Sequence, residues 1–229
     1  MTGGRYFVTG TDTGVGKTLV TAALLRRLRE SGLRVAGMKP VAAGAIAGPE
    51  GRANGDALLL QAESSVRHPY ALVNPWLFEA AVAPHIAAAE TGVVIDTGRI
   101  MKACETLRAS ADIVLAEGAG GFLVPLDAYR SFADLPGLLD MEVLLVVGLR
   151  LGCLNHALLS VEAIAARGYR LAGWIGNGID PQFARRDANI ATLTSMIPAP
   201  CLGIVPWLAN PGVSEAAAAL AGATRLRPS

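Results

Sequence analysis

A short apolar strand, a turn rich in glycine and threonine, and the opening of a helix follow one another between residues 6 and 28. No other stretch of the chain restricts its possible folds as tightly. The turn reads Val8-Thr9-Gly10-Thr11-Asp12-Thr13-Gly14-Val15-Gly16-Lys17-Thr18. Glycines let the backbone curl so that consecutive N–H groups face one anion, and the helix N-terminus behind them adds the positive end of its dipole. A lysine and a hydroxyl at the end of such a loop suit the β- and γ-phosphates and Mg²⁺, roles that fall here to Lys17 and Thr18. The spacing departs from G-x-x-x-x-G-K-[ST], because Thr11 stands at the first glycine's position and Gly10 lies one residue upstream. The ligand expected is a nucleoside triphosphate, held by Asp12, Thr13, Gly14, Val15, Gly16, Lys17, Thr18 and Leu19. A plain turn before an ordinary helix is the bland alternative.

Around that unit, short apolar runs alternate with longer helical patterns, the order of a mostly parallel α/β sheet covered by helices. Strands are expected at residues 5–9, 34–39, 112–117, 143–148, 171–176 and 201–205, and helices at 17–30, 56–63, 84–90, 97–109, 155–166 and 187–196. The run Val143-Leu144-Leu145-Val146-Val147 is apolar throughout, as a strand buried on both faces requires, and is too short to cross a bilayer. Residues 44–55 read as a mobile loop, and 215–229 as a short Ala-rich helix with a frayed end. Arg26, Arg27 and Arg29 read as a solvated helix face. No repeat or linker divides the 229 residues, so one domain spanning 1–229 is expected. With 20 Lys and Arg against 19 Asp and Glu, there is no electrostatic reason to expect nucleic acid or an anionic membrane as partner. No signal-peptide pattern opens the chain. Three scattered cysteines (Cys104, Cys153, Cys201) match no metal or disulfide pattern, so a cytoplasmic protein is expected.

Ligands of such sheets sit beyond the carboxyl ends of the strands. Lys39, in Gly37-Met38-Lys39-Pro40, is costly to bury without an anionic partner. It reads either as a group neutralising a transferring phosphoryl or as a lysine snorkelling from a strand end. Asp56 opens a helix and is either a metal carboxylate or a first-turn acid. Glu117 ends an apolar strand where phosphate-loop proteins place a metal-binding carboxylate, with Gly118, Gly120 and Gly121 permitting close backbone approach; a surface Glu in a glycine-rich turn is the alternative. After the fourth strand, free N–H groups of a helix opening near Gly152 would suit a carboxylate. His156 lies there without a paired nucleophile and is expected to cap or brace the helix. Cys153 has no basic neighbour apart from Arg150 and is not expected to be a nucleophile. Asn177 closes the fifth strand, where a side-chain amide can read a purine or serve as a plain loop residue.

Taken together, these segments resemble the dethiobiotin synthetases, ATP-dependent carboxylases of biotin synthesis, from about residue 6 to residue 208. The resemblance is carried by Gly-Thr-Asp-Thr-Gly-Val-Gly-Lys-Thr, Lys-Pro-Val-Ala-Ala-Gly, Glu-Gly-Ala-Gly-Gly, Leu-Gly-Cys-Leu-Asn-His, and Ile-Pro-Ala-Pro-Cys-Leu-Gly followed by Val-Pro-Trp-Leu. The first motif is shared with related phosphate-loop proteins, whereas the five in order are specific. The resemblance implies a single-domain, P-loop NTPase-like α/β fold with a mostly parallel seven-stranded sheet, and a homodimer. It also implies the substrates 7,8-diaminopelargonate, CO₂ (or bicarbonate as its source) and MgATP. Lys17 and Lys39 would then stabilise phosphoryl transfer, and Thr11 would hold a carbamate, beside a substrate wall of Gly118, Ala119 and Gly120. Thr18, Asp56 and Glu117 would surround Mg²⁺, directly or through water. Asn177, Pro206, Trp207 and Leu208 would hold adenine. Gly152, Cys153, Leu154 and Asn155 would bind the substrate carboxylate in the partner's site across the dimer interface.

Two departures stand out. Ala43 occupies a position where many of these proteins carry Ser or Thr, and Gly14 one where some carry a larger, often acidic residue. A switch ATPase of the partitioning or septum-placement type is the rival reading. Those proteins carry a lysine five residues before the loop lysine, and Asp12 stands there instead. A corrinoid amidating ligase would need a glutaminase domain for which no chain length remains, and a non-catalytic nucleotide-binding paralogue is a further alternative.

Overall fold

The computed structural model describes residues 4–48 and 51–227. In chain order the elements are β1 (Gly4–Gly10), α1 (Lys17–Glu30), β2 (Val35–Met38), β3 (Val41–Ala43), β4 (Ile46–Gly48), β5 (Gly51–Ala53), α2 (Gly55–Glu63), α3 (Tyr70–Val73), β6 (Trp76–Phe78), α4 (Pro84–Glu90) and α5 (Thr97–Arg108). They continue with β7 (Ile113–Gly121), α6 (Leu135–Leu138), β8 (Glu142–Leu149), α7 (Cys153–Ala166), β9 (Leu171–Gly178), α8 (Arg186–Met196), β10 (Cys201–Val205) and α9 (Val213–Ala218). Six of the strands form one sheet in the order β10-β9-β8-β1-β7-β2, with every neighbouring pair parallel. All six strands expected from the sequence are in it.

Side-chain alternation along the strands divides the core into layers. Tyr6 and Val8 of β1 cluster with Val20, Leu24 and Leu28 of α1, whereas Phe7 clusters with Ile100, Ala103 and Leu107 of α5. In β8, Leu144 and Val146 face the α1 layer, and Leu145 and Val147 join the cluster that holds Ala157 of α7 and Leu193 of α8. Leucines and valines buried this completely each contribute about 1.5–3 kcal/mol, which is why these strands carry almost no polar residue. The crossover from β1 through α1 leads to β2 at one edge, while β8, β9 and β10 extend the sheet on the other side of β1. The order therefore reverses around β1, and the crevice that opens beyond its carboxyl end is where such a sheet binds ligands.

Several expectations need correction. The central sheet has six strands among the described residues rather than the seven implied by the resemblance. After β2 the Lys39 N–H bonds to Val73 O and Pro40 has no N–H to offer, so the chain leaves the sheet and β3 pairs in parallel with β6 as a separate unit. The stretch read as a mobile loop holds the antiparallel pair β4–β5, with residues 49–50 outside the described residues. The tail is α9 followed by a 3₁₀ turn at Ala221–Arg225, and residues 228–229 lie outside the described residues. The arginine face of α1 is not simply solvated. Arg26 Nη2 and Nε bond the buried Glu63 carboxylate at 2.6 and 3.0 Å and Arg29 joins them, which fastens α1 to α2. Among the described residues no helix is long and apolar enough to cross a membrane.

Candidate active site

The phosphate loop closes where β1 ends. Gly16 sits in the left-handed region, φ 84°, and its carbonyl accepts the first α1 bond from Val20 N at 3.0 Å. A Cβ there would lie 2.1 Å from Asn177 Nδ2, so strain and lack of space both require glycine. Asn177 Nδ2 donates to Val15 O at 2.9 Å, which anchors the loop to the end of β9. Lys17 is buried, and its Nζ donates to Asp12 O at 2.8 Å. Burial and then the nearby Lys39 ammonium lower its pKa to about 8.

A second cation stands across the crevice. Lys39 is 5% exposed, and its Nζ lies 2.5 Å from Glu117 Oε1, 3.0 Å from Asp56 Oδ2 and 3.3 Å from Gly118 O. Burial is the largest single influence on Lys39 and acts downwards, but Glu117 and then Asp56 outweigh it, so its pKa is raised and the ammonium is held charged. Of the two sequence readings of Lys39, snorkelling into solvent is therefore excluded. Glu117 is fully buried, accepts a 2.8 Å bond from Thr18 Oγ1 on Oε1, and among the described residues has no hydrogen-bond partner on Oε2. Glu117 is thus no surface residue of a glycine-rich turn. Asp56 opens α2 behind Asn54, whose Oδ1 accepts from Asp56 N at 3.1 Å and Ala57 N at 3.3 Å while its Nδ2 donates to Ala43 O. Asp56 is thereby a first-turn acid of α2, and its carboxylate also reaches the Lys39 ammonium. Hydroxyl and carboxylate oxygens, one of them buried and orphaned, are the hard donors that Mg²⁺ takes.

These groups share a cavity of about 660 Å³, walled by Thr13, Lys17, Lys39, Ala43, Glu117 and Gly120 and closed on another side by the segment from Ala81 to Pro84. Ala119 also lines it, while Gly118 takes part through its carbonyl. Thr11, by contrast, is not brought to this cavity. Its N–H bonds to Val146 O, its Oγ1 accepts from Gly148 N at 3.4 Å, and it lines a neighbouring cavity of about 410 Å³ with Asp12, Phe122, Leu123, His156 and Leu159. Besides Thr18, the threonine on the wall shared with both lysines is Thr13. The threonine-rich repeat of the loop concealed which threonine turns inwards.

The remaining sites lie apart. Asn177, Ile179, Pro206, Trp207 and Leu208 line a cavity of about 310 Å³ on the other side of Gly14 and Gly16, with Leu19 at its edge. Helix α7 begins behind Gly152, φ 92°, which has no side chain to cap the first N–H groups. Gly152, Cys153, Leu154 and Asn155 line none of the cavities around Lys17 of the same chain. The expected bracing role of His156 is not observed: it is exposed, and among the described residues no hydrogen bond of its ring is found. Cys153 is buried, and burial pushes its thiol pKa up, against any nucleophilic role. The sequence reading missed Asn54, whose place between Ala53 and Gly55 resembles any loop, and the Ala81–Pro84 wall, which has no chemical signature.

The AAA domain family model matches residues 4–212. The ATP-dependent dethiobiotin synthetase BioD of Pseudomonas paraeruginosa is 51% identical over 216 residues, covering 94% of this chain and 95% of that protein. The chain belongs to the dethiobiotin synthetase family. A second member, BioD of Ralstonia nicotianae, is 53% identical over 211 residues, 92% of each chain. Among solved structures, the MinC:MinD cell division complex of Aquifex aeolicus matches with a TM-score of 0.59 at 21% identity, over 97% of this chain and 95% of that one. At that identity the likeness is one of fold alone. Within that fold, Lys39, Asp56 and Glu117 converge beside the phosphate loop, and Asp12 pairs with Arg150 at 2.6 Å.

Proposed function

We propose that this protein is an ATP-dependent cyclo-ligase that carboxylates 7,8-diaminopelargonate with CO₂ and closes the ureido ring, giving dethiobiotin, ADP and phosphate. The observation that carries the reading is the cavity in which Lys17, Lys39 and the Thr13 hydroxyl face the Thr18–Asp56–Glu117 oxygens. In the first step a substrate amine attacks the CO₂ carbon and releases a proton, leaving a carbamate. A carbamate oxygen then attacks the γ-phosphorus in line and the bond to ADP breaks. The second amine attacks the carbonyl carbon and gives up a proton, the C–O bond to phosphate breaks with phosphate leaving, and the ring closes.

Little covalent chemistry falls to the chain; its work is positioning and neutralising charge. Lys17 follows the bridging oxygens of the nucleotide, Lys39 faces the transferring phosphoryl, and Thr13 replaces Thr11 as the hydroxyl beside the carbamate. Thr18, Asp56 and Glu117 fit Mg²⁺, which would supply further neutralisation of the β- and γ-oxygens. The cavity between Asn177 and Trp207 is lined mostly by apolar residues, which suits adenine, and the bond from Asn177 Nδ2 to Val15 leaves its Oδ1 for the purine amino group. The uncapped start of α7 suits the substrate carboxylate and, lying apart from its own chain's cavity, would serve the partner's site in a homodimer. The reading places the chain, as one domain over residues 1–229, in the cytoplasm and in biotin synthesis.

The deciding experiment measures ADP release with MgATP and bicarbonate, with and without 7,8-diaminopelargonate, and follows dethiobiotin by mass. Diamine-dependent ADP release with the matching product is expected. Diamine-independent hydrolysis, or none, would overturn the reading.

A further inference from the structure

Three contacts tie the leading half of the phosphate loop to the end of β8 and the turn that opens α7, and the steps above use none of them. Thr11 N donates to Val146 O at 3.0 Å, Gly148 N to Thr11 Oγ1 at 3.4 Å, and Arg150 Nη2 to Asp12 Oδ2 at 2.6 Å. The last is the informative one, because both of its partners have other work. Asp12 Oδ1 accepts from Thr13 N at 2.7 Å and its carbonyl accepts the Lys17 ammonium at 2.8 Å, so Asp12 sets the position of two residues on the catalytic wall. Arg150 O accepts from Cys153 N at 3.0 Å, in the first turn of α7.

A carboxylate in a loop built to surround phosphate is an electrostatic liability. Left unpaired, Asp12 would repel the nucleotide; paired, it becomes a fixed strut. We propose that Arg150 is a positioning residue that neutralises Asp12 and holds the phosphate loop in register with the start of α7, so that nucleotide binding and substrate-carboxylate binding are coupled. The coupling half rests on the assignment of Gly152–Asn155 to the substrate carboxylate; the neutralisation half does not.

The two halves separate by experiment on the full-length protein. MgADP affinity, measured by calorimetry without diamine, tests neutralisation. Arg150→Met is expected to weaken it about tenfold, Arg150→Lys to restore most of the loss, and the double variant Asp12→Asn with Arg150→Met to recover to within about threefold of wild type. A pair about half exposed on both sides adds little to stability, so the melting temperature should barely move, whereas a merely structural bridge would move it and leave the affinity alone. MgADP affinity within twofold of wild type in Arg150→Met, or no recovery in the double variant, overturns the proposal. If Arg150→Met does not fold, Arg150→Gln provides the same comparison.

For the coupling, MgADP is titrated with and without saturating 7,8-diaminopelargonate. A wild-type difference that vanishes in Arg150→Met supports it, and a difference that persists unchanged overturns it. A wild-type protein that forms no dethiobiotin would overturn the functional reading instead, and the diamine-free affinities would still decide the role of Arg150.

Discussion

Lys39 and Lys17 differ in what surrounds them, and their substitutions should differ accordingly. Lys39 faces Glu117 and Asp56 and would act on a charge that develops during transfer, so Lys39→Met is expected to lower kcat by at least about 10²-fold, with a smaller effect on nucleotide affinity. Lys17→Ala should lower both affinity and turnover; near-normal kinetics in either folded variant would remove the assigned role. With a pKa of about 8, Lys17 is charged below that pH and neutral above it in the free protein. Its attraction for phosphate is therefore lost as pH rises, and kcat/KM for MgATP should fall above about pH 8. The kcat profile should break higher, because bound phosphates favour the ammonium. Gly16→Ala is expected to abolish nucleotide binding through its clash with Asn177, as a calorimetric titration would show. Ala43→Ser adds a hydroxyl to the cavity wall and should maintain or raise kcat; a steep fall would mean that the wall is adapted to alanine.

At the scale of elements, α2 shows how a cap can also serve a site. Asn54 accepts from the N–H groups of Asp56 and Ala57, which fixes the carboxylate that faces Lys39. Asn54→Ala should cost about 1 kcal/mol, a fall of roughly 2–4 °C in Tm, and should also raise the Mg²⁺ concentration needed for half-maximal rate. A lower Tm with unchanged metal dependence would show that the cap is only structural. The longer helices and the central strands were legible from the sequence to within a residue or two, except that β7 runs on to Gly121, four residues past its expected end, and that the short helices α3 and α6 were not expected. Apolar runs such as 143–147 can be satisfied only in a doubly covered strand, and α1 begins where Gly16 allows and stops at Ser31-Gly32. The short elements β3 to β6 were not legible. Runs of three residues have no period to read, and their pairing depends on where Lys39-Pro40 deflects the chain.

The whole molecule raises the question of whether a site is made by one chain or two. Lys17 belongs to the crevice beyond β1, whereas the uncapped N-terminus of α7 stands behind Gly152 and outside that crevice. If α7 serves the partner, Lys17→Ala mixed with Gly152→Val should form hybrid dimers with one intact site each. About a quarter of wild-type activity should then return from two inactive proteins, as statistical exchange of subunits predicts. No recovery after verified exchange would place both halves of the site in one chain.

The phosphate loop, the six central strands, and Lys39, Asp56 and Glu117 as groups of interest were determined by the sequence alone, because burial and anion binding leave local marks in residue type and spacing. Tertiary structure alone decided that Thr13 rather than Thr11 lines the cavity of the two lysines, that Arg26 and Arg29 clasp Glu63, and that Arg150 reaches Asp12. Those facts depend on which strand lies beside which and how each loop turns at its end. Contacts between residues more than a hundred positions apart, such as Asp12 and Arg150, exist only once the sheet order has brought β1 beside β8.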